Sequence, residues 1–233
     1  MTDHRLLITM IHWLTQTHHE IPACDYLTEP ELARFQELKT IKRRTDWLLG
    51  RWTAKRLLQT IIWETNGVAL PLDMITITNN PDGAPDYRLP ITDYRFSISI
   101  SHAHGRAFVA AIEKTRSPIG ADMELIQPRP PGFAEEYFTQ AEIALGYGLV
   151  GRERAVWETA VWSAKEAVLK ALHLGLSVNT RAVSCLIEPV ARPSATWMPF
   201  AIRCDNGRLP QPAPPLTGWW RVEDEFVLTI AVG

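Results

Sequence analysis

The sequence predicts an α+β fold in two halves, each a small antiparallel sheet packed with helices. Three observations carry the prediction. Segments of helical period and segments of strand period recur in both halves. Three strand candidates between Phe96 and Leu125 follow one another across short turns, which suits an antiparallel meander. Two Thr-x-x-Glu boxes, Thr28–Glu31 and Thr139–Glu142, each stand at the start of a helical segment. The halves are read as subdomains 1–116 and 117–233, with the seam near Arg116. Their repeated helix-then-strand order suggests a weak internal duplication, two units related by a pseudo-two-fold.

The elements follow in order. Residues 5–13 are apolar enough for a first strand. Leu32, Phe35 and Leu38 share one side of the helix that Thr28 opens. A longer helix is predicted from about Arg43 to Trp63, where Ala54, Leu58 and Ile61 recur at helical spacing. Asn79–Pro85 (NNPDGAP) reads as a turn-rich loop. Phe96, Ile98 and Ile100 alternate with serines; Ala107–Ile112 is a continuous apolar run; Ile119, Ala121, Met123 and Leu125 alternate with Gly120, Asp122 and Glu124. Turns at His102–Gly105 and Lys114–Ser117 separate the three. A long helix is predicted over Glu153–His173, with Trp157, Val161, Ala164, Val168 and Ala171 as its buried stripe. Strands are expected near Ala182–Ile187, Phe200–Arg203, Trp219–Val222 and Phe226–Val232, with Pro210–Pro215 a loop.

Composition excludes several classes. A net charge of −2 gives no bulk electrostatic case for nucleic acid or a membrane surface. Cys24, Cys185 and Cys204 lie too far apart for a disulfide ladder or a metal-binding spacing, which fits a reducing compartment. No apolar run is long enough to span a bilayer, and the N-terminal apolar patch carries Asp3 and no small-residue cleavage site. The expected location is the cytoplasm.

Three constellations carry chemistry. Asp122-x-Glu124 lies on a strand, so both carboxylates face one side roughly 7 Å apart, an oxygen-rich site suited to Mg²⁺. A solvated strand face carries the same pair. Glu166 and Lys170 are one helical turn apart, so a carboxylate and an ammonium stand side by side; an exposed ion pair has the same spacing. Trp162 shares that side, which is unusual for a plain solvent face. Ser99-Ile100-Ser101-His102 ends a strand, where hydroxyl, turn amides and imidazole can converge on an anion, or simply make a turn.

Taken together, these segments resemble the two-domain, surfactin-type 4′-phosphopantetheinyl transferases. Ser99–His102, Gly120–Glu124 and Trp162–Lys170 stand in the family's order as Ser-x-Ser-His, Gly-x-Asp-x-Glu and Trp-x-x-Lys-Glu-Ala-x-x-Lys. Glu31 with Arg34, Arg44 through Leu48 to Gly50-Arg51, and Tyr137–Glu142 resemble its other segments, so the likeness spans roughly residues 25–175. The resemblance implies two pseudo-symmetric domains enclosing coenzyme A. It implies transfer of the phosphopantetheine arm to a serine of an apo acyl carrier protein or peptidyl carrier domain, with release of 3′,5′-ADP, by a monomer. Asp122, Glu124 and Glu166 would hold Mg²⁺. Glu166, Lys170 and Asp122 would be catalytic, with Glu166 the candidate base. Arg44, Arg51, Ser101, His102, Lys165 and Lys170 would contact coenzyme A. Glu142 is either catalytic or only the partner of Thr139 in a helix cap.

The chain departs from the family at Gly83-Ala84-Pro85, where Gly-Lys-Pro is usual, and at Ala103, where Ser is frequent. Arg88 or Arg44 is expected to supply the charge missing at Ala84. Two other functions share much of this pattern: a coenzyme A or carrier-protein binder of the same fold, and another Mg²⁺-dependent enzyme acting on a pyrophosphate.

Overall fold

The computed structural model describes residues 8–18, 24–90, 95–113, 118–191 and 194–233. The chain divides into two compact units, one of Met10–Ser117 and the other built on Pro118–Gly233. Arg116 and the predicted Lys114–Ser117 turn lie outside the described residues.

In the first unit the strands are β1 (His12–Thr17), β2 (Thr76–Asn79), β3 (Pro85–Arg88), β4 (Phe96–Ala103) and β5 (Arg106–Glu113). β5 lies between β1 and β4, antiparallel to both, and the β2–β3 ribbon runs beside β4 through β3. The predicted first strand is displaced: residues 5–7 are outside the described set, and the strand begins at His12. Asn79–Pro85 is the turn of a hairpin, with Asn79 paired to Pro85 and Gly83 at a φ of 88°.

Helix α1 (Glu29–Glu37) starts at the predicted box, and Pro30 sits in its first turn. Helix α2 (Ile41–Asn66) starts where the Thr40 hydroxyl accepts from the Arg43 amide, and ends at left-handed Gly67, whose amide donates to Trp63 O. Its face of Ala54, Leu57, Leu58, Ile61 and Ile62 packs on Ile77, Ile98, Val109 and Ala111 of the strands and on Ile75 just before β2.

The second unit is a five-stranded antiparallel sheet. Its strands are β6 (Ile119–Leu125), β7 (Val183–Leu186), β8 (Met198–Cys204), β9 (Thr217–Glu223) and β10 (Phe226–Val232), in the order β6-β10-β9-β8-β7. Helices α3 (Phe133–Tyr137) and α4 (Gln140–Leu145) precede the long α5 (Gly151–Ala171). The predicted stripe of α5, from Trp157 to Ala171, is buried against this sheet. α5 rides close on β6 because Gly120 has no side chain: a Cβ there would stand 1.8 Å from Ala167 O. That approach brings the polar side chains of α5 to β6.

Candidate active site

Asp122 sits in the middle of β6, 5% exposed, facing α5. A carboxylate so placed needs partners, and α5 provides two. Lys170 Nζ donates to Asp122 Oδ1 at 2.7 Å, and Ser163 Oγ donates to Oδ2 at 2.8 Å. Lys170 also donates to Ala121 O, and Ser163 lies 2.8 Å from the Thr229 hydroxyl on β10. Glu124, two residues along the same strand, accepts from Arg129 at 3.1 Å.

Glu166 lies between these groups on α5. Burial pushes its carboxyl up to about 7, the Asp122 charge adds to that, Lys170 opposes it and Glu124 adds a smaller push. The three predicted metal residues therefore share one electrostatic site. Among the described residues, however, no three His, Cys, Asp or Glu side chains are gathered tightly enough to grip a cation as they stand. Asp122 and Glu124 hold the chain's own cations instead. All three are hard oxygen donors, the ligand type that a hard divalent cation takes.

Lys165 takes a different place from the one expected of a coenzyme A ligand. It is fully buried, and Nζ donates to Thr180 O and Val183 O and pairs with Glu142 at 2.9 Å. One residue along a helix turns the side chain by about 100°, so Lys165 is buried in the core while Glu166, on another side of the helix, is half-buried. Glu142 is also fully buried. Its Oε2 accepts from the Thr139 amide and hydroxyl, and its Oε1 from the Cys185 amide. Every Glu142 oxygen is engaged in holding the fold.

In the first unit a concavity of about 900 Å³ is bordered by Arg34, Lys42, Arg43 and Arg51, with Trp47, His102 and strand residues 76–79. Arg51 is buried beside Trp47 and donates to Asn79 at 2.6 Å; burial pulls its guanidinium down to about 10, against the attraction of Glu31. His102 Nδ1 is 4.0 Å from Asp46, which also binds Lys42. Of the residues predicted to meet coenzyme A, Arg51 and His102 stand on this wall; Arg44 and Ser101 do not. Arg44 donates to Leu38 O and stacks over Phe35. Arg88 is also absent from the wall.

Sequence reasoning gave no role to Ser163, Arg129 or the wall cations Lys42 and Arg43, and named Arg34 only within the family-like segment that begins at Glu31. Ser163 carried a signal: positions 163, 166 and 170 form one helical stripe.

Comparisons with known proteins bear on the second unit. Residues 118–230 match the family model of the 4′-phosphopantetheinyl transferase superfamily. The chain is 40% identical over 87 residues to the holo-[acyl-carrier-protein] synthase of Streptococcus sanguinis strain SK36, a span covering 37% of this chain and 70% of that one. It is 33% identical over 86 residues to the enzyme of the same name from Anoxybacillus flavithermus, covering 37% and 71%. A solved holo-(acyl-carrier-protein) synthase from Bacillus anthracis, in complex with CoA (3′,5′-ADP), aligns at 22% identity over 43% of this chain and 91% of that one, with a TM-score of 0.37. The matched span 118–230 carries Asp122, Glu124, Ser163, Glu166 and Lys170 together, and on that match and those relatives the chain belongs to the 4′-phosphopantetheinyl transferase superfamily.

Proposed function

We infer that the chain transfers the 4′-phosphopantetheine arm of coenzyme A to a serine of an apo carrier protein, releasing 3′,5′-ADP. The observation that carries the reading is that the matched span holds the Asp122–Ser163–Lys170 network and the raised Glu166 carboxyl.

The carrier serine oxygen attacks the phosphorus bearing the pantetheine arm. An O–P bond forms there while the bond from that phosphorus to the bridging oxygen breaks, and 3′,5′-ADP leaves with that oxygen. The serine proton goes to Glu166, the half-buried carboxylate that shares the electrostatic surroundings of Asp122 and Lys170. The Lys170 ammonium balances charge on the transferred phosphoryl oxygens. Asp122 holds Lys170 in place through a 2.7 Å bond. Mg²⁺, when bound by Asp122, Glu124 and Glu166, would neutralise pyrophosphate charge.

The finer reading is a surfactin-type, two-domain enzyme that works as a cytoplasmic monomer. What supports the two-domain reading is a first unit with its own cationic concavity, where Arg34, Lys42, Arg43 and Arg51 suit the phosphates of coenzyme A. Those cations take the role expected of Arg88 or Arg44 in replacing the charge missing at Ala84.

The test is release of 3′,5′-ADP from coenzyme A and Mg²⁺ with and without apo acyl or peptidyl carriers. Release that needs the carrier is expected, and EDTA should stop it. Release of free phosphopantetheine without a carrier would make the protein a pyrophosphate hydrolase instead.

A further inference from the structure

The two units carry the same internal fastening, a buried glutamate–lysine pair with matching partners. In the first, Glu31 Oε2 accepts from the Thr28 amide and hydroxyl and from Lys55 Nζ, and Oε1 accepts from the Ile77 amide on β2. In the second, Glu142 Oε2 receives the Thr139 amide and hydroxyl and pairs with Lys165, while Oε1 receives the Cys185 amide on β7. Each lysine is fully buried and gives its remaining protons to two backbone carbonyls: Tyr26 and Leu72 in one unit, Thr180 and Val183 in the other. Each also stands over an aromatic ring, Tyr26 at 5.7 Å and Phe138 at 5.9 Å. The sequence around the lysines repeats as well: Trp52-Thr53-Ala54-Lys55 and Trp162-Ser163-Ala164-Lys165.

What surrounds the fastening differs. After the lysine, the second unit has Glu166 and Lys170 where the first has exposed Arg56 and Thr60. The first strand of the second unit turns Asp122 toward its long helix; that of the first turns Leu14 there. The first unit keeps the clasp without the acids. Its clasp instead frames the cationic concavity: Glu31 lies on the wall, Arg34 is three residues beyond it on the same side of α1, Arg51 is one turn before Lys55 on α2, and the clasped strand supplies residues 76–79.

We propose that the buried Glu–Lys clasp is a duplicated positioning device with two separate duties: Glu142–Lys165 aims Glu166 at Asp122 for turnover, and Glu31–Lys55 shapes the first unit's concavity for an anionic, nucleotide-like ligand. Lys165 is thus a positioning residue. In each unit the clasp ties three elements, a short helix, a long helix and a strand, to one buried ion pair. A shift of any of them moves the side chains that flank it. The proposal rests on the function inferred above only for its turnover arm.

The experiment compares Lys55→Met with Lys165→Met, and the milder Glu31→Gln with Glu142→Gln, which keep the side-chain shape and one acceptor oxygen, enough for either the threonine or the strand amide. Circular dichroism and thermal melts establish the folded fraction. Binding of 3′,5′-ADP is measured by calorimetry, and kcat and KM for coenzyme A by carrier loading. First-unit variants should weaken 3′,5′-ADP binding and raise KM by tenfold or more, with kcat within about threefold. Second-unit variants should lower kcat by a hundredfold or more, with 3′,5′-ADP affinity within about threefold. Should a methionine variant not fold, the glutamine variant of the same unit carries the comparison. Equal effects of both clasps on both parameters, or losses that follow only the folded fraction, overturn the proposal. If the unmutated protein binds 3′,5′-ADP yet loads no carrier, the inferred function fails while the binding arm still judges the first clasp. No binding at all overturns both.

Discussion

Asp122→Ala and Glu166→Gln are each expected to bring carrier loading close to background while the protein still melts cooperatively. The first removes the acceptor of Lys170 and Ser163, and the second removes the proton acceptor. Lys170→Ala should lower kcat more than it raises KM, because its charge acts mainly on the transition state; a Lys170→Ala enzyme with unchanged kcat would contradict that role. Glu166 also sets a pH dependence. Its folded carboxyl is raised above its ordinary 4.5 to about 7, so the stability it contributes in protonated form is complete below about pH 4.5 and is lost as the pH rises through about 7. In EDTA, Glu166→Gln should therefore melt like the unmutated protein at pH 4.5 and above it at pH 8; equal melting temperatures at both pH values would show that the carboxyl is not buried against Asp122. Part of the candidate site was legible in the sequence: strand period puts Asp122 and Glu124 on one face and helix period puts Glu166 and Lys170 on one face, while the bond from Lys170 to Asp122 appears only when the helix packs on the strand. Lys165 was misplaced because adjacency in sequence hides a rotation of about 100° around the helix. The double duty of Glu142 as cap partner and ion-pair partner needed the distant Lys165 and Cys185 to become visible.

Helix α5 and strand β6 form the working element, and their approach depends on Gly120. Gly120→Ala would place a Cβ 1.8 Å from Ala167 O and 2.5 Å from Ala171 N, backbone atoms that cannot swing aside. The expected loss is roughly 3 kcal/mol, at the upper end for overpacking, with carrier loading falling further than stability because Ser163 and Lys170 leave Asp122. Urea titration with activity measured on the folded fraction checks it; a mutant of unmutated stability would mean the helix is not so close. The helices were readable from the sequence because their caps are chemical: Thr28, Thr40, Thr139 and Gly67 start or stop them in the structure. Of these, the two glutamate boxes were visible in advance. The β2–β3 ribbon was not, since each strand has four residues and the Pro- and Gly-rich turn between them resembles an ordinary loop. The first strand was set too early because Leu6–Ile11 is the most apolar stretch there, whereas the paired residues, His12–Thr17, have only Trp13 and Leu14 as large apolar side chains and end in the polar run Thr15-Gln16-Thr17.

Each unit repeats one plan. The first runs β1-β5-β4 with β3 and β2 beyond β4, and the second runs β6-β10-β9-β8-β7, with a long helix on each sheet. The sequence hinted at this duplication through helix-then-strand order, and its strongest trace is the repeated Trp-Thr-Ala-Lys and Trp-Ser-Ala-Lys. The family match covers residues 118–230, and the first unit lies outside it. If the chain supplies both halves of a working enzyme, as the two-domain reading holds, it should sediment as a single chain at concentrations where it is active; activity that appears only with self-association would remove that reading. The most direct measurement of the transfer is the intact mass of an apo acyl or peptidyl carrier after incubation with this protein, coenzyme A and Mg²⁺, beside an Asp122→Ala control. The carrier should be heavier by one phosphopantetheine with the unmutated protein and unchanged with the control. A broad panel of apo carriers left entirely unmodified, or modified equally by the Asp122→Ala protein, would contradict it.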